Sequence, residues 1–283
     1  MTAPGGEQRR GSNQAPAREF ISFRRIGAMV LRYVYLLRGS WPRILELAYW
    51  PTVQMILWGF ISQFFLTHSS WVAQAAGVLI AAVLLWDVLF RGQLGVSIPF
   101  LEEMWSRNLA NLFISPLRPY ELIVALLGMS FIRTFVGVVP AAFLAIALYH
   151  YSVFDLGLPL LSFFINLLVM GWAIGLVVSA LILRYGLGAE SLAWIAIFAV
   201  APVSAIYYPV AVLPEWLRVV AWALPSAQVF EGMRAVLVDG VFRTDLLAAA
   251  VILNVLYFSL GAAALLYSFH VARVRGLLLQ MGE

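Results

Sequence analysis

Apolar residues in this chain come in blocks of about 20, separated by short polar or proline-bearing segments, and the blocks define the expected elements. Uninterrupted apolar runs predict six transmembrane helices, over approximately 44–66, 71–98, 121–148, 158–183, 191–207 and 246–270. Ahead of the first, from Phe20 to Gly39, apolar residues alternate with arginines at helical spacing. Arg18, Arg25 and Arg32 fall seven apart and share a face, while Ile26, Val30, Tyr33, Val34 and Leu37 fill the rest. This pattern predicts an amphipathic helix in the membrane interface rather than the start of the first span, because Arg24, Arg25, Arg32 and Arg38 are costly inside lipid. Residues 1–19, polar and without an apolar h-region, read as a disordered tail and not as a signal peptide.

Two segments break the spanning pattern. Between the second and third runs, Leu101, Trp105, Leu109, Leu112 and Phe113 recur at i, i+4, i+8, i+11 and i+12, which predicts one amphipathic helix over 101–113, too polar to span. Glu102 and Glu103 suit its positive N-terminal end, and Pro116 ends it by disfavouring helical backbone at Ser115. Between the fifth and sixth runs, Pro202, Pro209, Pro214 and Pro225 cut the tract 201–240 into apolar pieces too short for a core of about 30 Å. These pieces predict two short helices over 208–240 that dip into one leaflet and return, a backbone tolerated where protein buries it or a cavity adjoins it; the alternative is a pair of interfacial helices. A turn over 183–191, with Gly186 and Gly188, is a tight reversal between antiparallel helices.

Composition sharpens this picture. Hydrophobic residues make up 63% of the 283 and charged ones 11%, against about 25% charged in a soluble domain, so lipid must solvate much of the surface. The fold class is therefore all-α integral membrane. The net charge is +4, and all 18 basic residues are arginine. They sit at the ends of apolar runs, as membrane flanks do, and do not form a nucleic-acid patch. Arg9, Arg10, Arg18, Arg24, Arg25, Arg32, Arg38, Arg43, Arg107, Arg118, Arg184, Arg273 and Arg275 fall on one side of the six-span arrangement, and Arg218, Arg234 and Arg243 on the other. The bias puts both termini in the cytoplasm of a bacterial inner membrane.

Charges within the spans are the candidates for chemistry. Asp87 and Arg91, four apart near the inner end of the second run, are at pairing distance. Arg133, mid-way along the third, needs a partner such as Asp87 or Glu46, or an anionic substrate. Glu46, Asp87 and Arg133 together would suit an ion-coupled secondary transporter. Catalytic residues are not expected. His68, His150 and His270 lie at span edges, no His or carboxylate cluster has metal-ligand spacing, and cysteine is absent. With no lysine, the chain lacks the G-x-x-x-x-G-K-[ST] phosphate loop, so ATP and Mg, if used, belong to a partner.

The basic amphipathic helix, the Glu-Glu-x-Trp-Ser-Arg-Asn-Leu segment followed by Ser-Pro, the Arg-Tyr-Gly-x-Gly-Ala-Glu-Ser turn and the Tyr-Tyr-Pro…Leu-Pro-x-Trp-Leu…Pro stretch resemble, in this order, the permease subunit of ABC-2 type transporters. The resemblance covers nearly the whole chain from Phe20 onward. It implies that the 101–113 helix is a coupling helix docking on a separate ABC ATPase through Glu102, Glu103, Trp105, Ser106, Arg107, Asn108, Leu109 and Leu112. It implies an outer re-entrant gate carrying Tyr207, Tyr208, Pro209, Pro214 and Trp216. It also implies a second permease copy, a path lined by spans one, two and five, and outward movement of lipids, glycans or drugs.

Overall fold

The computed structural model describes residues 21–68 and 73–274. The expected tail 1–19 and the start of the second span at Trp71 lie outside them. Helix α1 (Phe23–Arg38) precedes α2 (Trp41–His68), α3 (Ala73–Trp105), the short α4 (Leu109–Ile114), α5 (Pro119–Tyr149), α6 (Leu158–Tyr185) and α7 (Leu192–Val200). Then come α8 (Glu215–Trp222), α9 (Pro225–Arg234) and α10 (Thr244–Val274), and no strand occurs among the described residues. This is an all-α membrane protein.

Among the described residues, five helices are long and apolar enough to cross a membrane: α2, α3, α5, α6 and α10. The expected span over 191–207 is not among them: the apolar helical stretch there is shorter, Leu187–Val203. Its helix stops at Val200, and a 3-10 turn, Ala201–Val203, follows. The cause is local: Pro202 brings no N–H to the helical ladder and its ring crowds the preceding turn.

Helix α3 is the central element. Every residue from Ile80 to Leu89 is buried, and α5, α6 and α2 pack around it. Close approach to α6 rests on small residues. A Cβ on Gly171 would lie 2.6 Å from the Leu89 carbonyl oxygen, and one on Gly175 would lie 2.8 Å from Val96 Cβ. Without a hydrophobic drive between helices in lipid, such backbone proximity and interhelical hydrogen bonds hold the bundle. Ser130 of α5 donates to the Gly92 carbonyl at 2.8 Å and accepts from Trp172 Nε1 of α6 at 3.0 Å. Asn254 of α10 donates to the Asn166 side-chain oxygen at 2.9 Å. The helix also runs on where a break was expected at Pro99, reaching Trp105. Asp87 therefore lies about 27 Å from Trp105 along the axis, at a rise of 1.5 Å per residue.

Candidate functional site

At the arginine-rich end, α3 finishes in an elbow. Ser106 and Arg107 form a turn in which Arg107 takes φ 53, a left-handed value rare for non-glycine residues, and α4 restarts at Leu109. The expected single helix over 101–113 is thus two pieces, because the left-handed residue closes α3 after Trp105. Trp105, Ser106, Arg107, Asn111 and Ile114 are exposed, Asn108 and Leu112 are half-buried, and Leu109 is buried.

Glu102 and Glu103 point inward, not outward. Arg32 donates Nη1 and Nη2 to the two Glu103 oxygens at 2.5 and 3.0 Å, and Asn108 Nδ2 donates to Oε2 at 2.7 Å. Glu102 meets Arg43 of α2 at 3.2 Å and Arg133 of α5 at 3.5 Å. Arg133 therefore pairs with neither Asp87 nor Glu46. Its side chain lies within reach of the end of α3, where Glu102 offers a carboxylate, while Glu46 is exposed on α2. Charges proposed for an ion-coupled route are thus dispersed through the bundle.

A third carboxylate completes the cluster. Glu121 caps the start of α5 by accepting from the Arg118 backbone N–H at 3.0 Å, and it also accepts from Ser22 N at 2.9 Å and from Arg25 Nε and Nη2 at 2.9 and 2.7 Å. Together these bonds clamp α1 along α3 and α5, with Ile26, Met29, Tyr33 and Leu37 buried beneath it. Burial pushes the Tyr33 phenol up from its ordinary value, and the neighbouring Glu103 carboxylate adds to the shift. On the other side of the elbow, Trp105 Nε1 donates to Glu190 at 3.1 Å, reaching the turn between α6 and α7. Sequence spacing placed Arg25 and Arg32 on one face. It did not reveal that Glu121 and Glu103 receive them, since that pairing is made across about 70 to 100 residues of chain.

At the opposite end the proline-rich tract folds into α8 and α9 with polar ties to itself. Ser204 and Ser226 share a hydrogen bond of 2.8 Å, Glu231 accepts from Val210 N at 2.6 Å, and Arg218 donates to the Leu213 and Ala211 carbonyls, both at 2.7 Å. Tyr208 donates to the Pro202 carbonyl. Among the expected gate residues, Pro209, Pro214 and Trp216 are exposed, Trp216 at 70%. Tyr207 stacks on Trp58 of α2, with centroids 4.6 Å apart and planes at 16°, and is the gate residue tied to a spanning helix.

Between the two ends lies the one charge pair that sequence spacing located: Arg91 Nε donates to Asp87 Oδ2 at 3.2 Å. Among the described residues no three His, Cys, Asp or Glu side chains gather closely enough to hold a metal ion. Comparison with protein-family models gives no match for this chain, and no curated protein matches it.

Proposed function

We propose that the chain is the permease subunit of an ATP-driven exporter, moving an amphipathic or lipid-linked substrate (glycan, lipid or drug) out of the cytoplasm or inner leaflet. The observation that carries this reading is the exposed elbow Trp105–Ser106–Arg107, wired to four elements at once. Glu103, itself held by Asn108, ties it to α1 through Arg32, Glu102 ties it to α2 and α5, and Trp105 ties it to the α6–α7 turn. A separate ABC ATPase, with its own ATP and Mg, would press on the elbow. The carboxylates of these three ion pairs are largely enclosed, so parting a pair strands negative charge in a low-dielectric setting. The push would therefore move α1, α2 and α5 together and reach the Trp58–Tyr207 contact in the distal half of α2. In this reading a second copy of the permease supplies the other wall of the path, and α8 and α9 form the outer gate. The membrane is a bacterial inner membrane with both termini cytoplasmic, as the arginine distribution favours.

Trp105→Ala with Arg107→Glu removes the exposed indole and reverses the elbow's charge without touching the inward carboxylates. Protein level is expected to stay near wild type, while co-purification of the ATPase and export both fall by about tenfold or more, a loss near 1.4 kcal/mol of docking. Retained ATPase association would sink the docking assignment. Orientation has a separate check. The chain has no native cysteine, so Ser106→Cys gives one thiol, which a membrane-impermeant maleimide should reach only in inverted vesicles. Labelling in intact cells would reverse the topology.

A further inference from the structure

The Asp87–Arg91 pair leaves much of its hydrogen-bonding capacity unused. Asp87 and Arg91 side chains are 11% and 8% exposed, mid-way along α3, where ionised groups are expensive and call for a function. Arginine can engage a carboxylate end-on through two parallel bonds, which uses more of its donors. Here a single side-on bond from Nε is made. Among the described residues, Arg91 Nη1 and Nη2 and Asp87 Oδ1 have no hydrogen-bond partner, and none of them is sealed within the packing.

The fork is also held flat from behind. A Cβ on Gly137 of α5 would lie 2.6 Å from Arg91 Nε, 2.7 Å from Cζ and 2.8 Å from Nη1, so the bare α5 backbone forms the floor under the guanidinium. The aromatic wall comes from two further elements. Trp58 of α2 stacks on Tyr207 and packs against the buried cluster that includes Val83 and Leu84, the α3 residues one turn before Asp87. Tyr207 keeps 38% of its surface exposed.

This combination selects its ligand by charge balance. An anion would satisfy the arginine fork but leave the Asp87 charge uncompensated, and a cation would do the reverse. A neutral group that carries hydroxyls as both donors and acceptors satisfies both ends, and the C–H face of a sugar ring packs on an aromatic plane. We propose that Arg91 and Asp87, with Trp58 and Tyr207, form the recognition point for a neutral polyhydroxylated head group of a membrane amphiphile. The assignment rests on the permease reading and adds its substrate class.

The test uses the full-length permease alone, purified in a polyoxyethylene detergent free of sugar. Octyl glucoside below its micellar concentration is titrated beside octanol, octyl phosphate and glucose. Octyl glucoside is expected to bind saturably and about tenfold or more tighter than each of the three, since each lacks either the neutral hydroxyls or the apolar tail. Arg91→Lys keeps the charge and loses the fork, and Gly137→Ala keeps the pair but tilts it. Both are expected to weaken octyl glucoside by about tenfold with an unchanged elution profile. Equal binding by octanol would reduce the site to an apolar crevice, tighter octyl phosphate would make it an anion site, and equal glucose would remove the amphiphile. Undiminished binding by folded Arg91→Lys would remove the residue from the site. Any of these results overturns the proposal. Because no ATPase is present, failure of the docking experiment leaves this result standing, and the reverse also holds.

Discussion

Arg32→Ala is expected to destabilise the protein more than Glu103→Ala, although the two residues are partners in one ion pair. The Glu103 side chain is 2% exposed and the Arg32 side chain 36%. Removing the arginine leaves a carboxylate inside the bundle with Asn108 Nδ2 as its remaining hydrogen-bond donor among the described residues. Stranding one partner of a buried pair costs about 3 kcal/mol. Removing the glutamate instead frees an arginine already a third exposed, whose head can turn toward water or lipid head groups. Its cost is about 1–2 kcal/mol, chiefly for the lost bonds to Arg32 and Asn108. The double variant should resemble Glu103→Ala, because deleting Arg32 matters only while the carboxylate remains. Thermal unfolding of detergent-purified variants, read by loss of the monodisperse elution peak, gives the order directly. If Arg32→Ala unfolds no earlier than Glu103→Ala, the clamp on α1 is not held by that pair.

The same asymmetry explains which parts of the site were legible in the sequence. Local relations were readable: the i, i+4 spacing of Asp87 and Arg91 predicts their pairing, and the heptad spacing of Arg25 and Arg32 predicts a shared face on α1. Long apolar runs were readable too, because a membrane core imposes a length on them. What escaped was set by contacts across the chain. Glu102 and Glu103 looked like outward docking groups, since an amphipathic pattern identifies a polar face without telling whether protein or water covers it. The arginines of α1, α2 and α5 cover it here.

Prolines misled in both directions, for one physical reason. A proline removes one backbone donor and crowds the turn before it, and whether the helix survives depends on what packs around it. Pro99 lies within α3 at a buried position and the helix continues for six residues to Trp105. Pro202, half a bundle away, follows the nine-residue α7, whose Trp194, Ile195 and Phe198 are exposed, and there the α-helix ends. The real end of α3 is set by the left-handed Arg107, which no spacing rule announces. An elbow with an exposed tryptophan resulted where periodicity alone suggested a straight rod.

Gly171→Val is expected to have the largest effect on folding of any single change considered. Helices α3 and α6 touch through their backbones at this point. A Cβ there would lie 2.6 Å from the Leu89 carbonyl oxygen, 2.9 Å from Gln93 N and 3.0 Å from the Gly92 carbonyl carbon. All three are main-chain atoms on a helix that is itself enclosed by α2, α5 and α6, so no rotamer change relieves the overlap and the helices must part. Overpacking of side chains alone costs about 1–3 kcal/mol, and a backbone collision exceeds the upper end of that range. Parting α3 from α6 would also move Gly175 away from Val96 and loosen the Ser130–Gly92 and Trp172–Ser130 bonds. Gly128→Ala supplies the contrast. A Cβ there meets only Val30 Cγ2, at an ordinary 3.5 Å, so alanine should be neutral or stabilise α5 by up to about 1 kcal/mol through its better helix propensity. Both variants put a side chain on a helical glycine in neighbouring spans and should differ in sign. Recovery of monodisperse protein after membrane extraction is the measurement, and a Gly171→Val variant recovered like wild type would mean that α3 and α6 do not meet backbone to backbone.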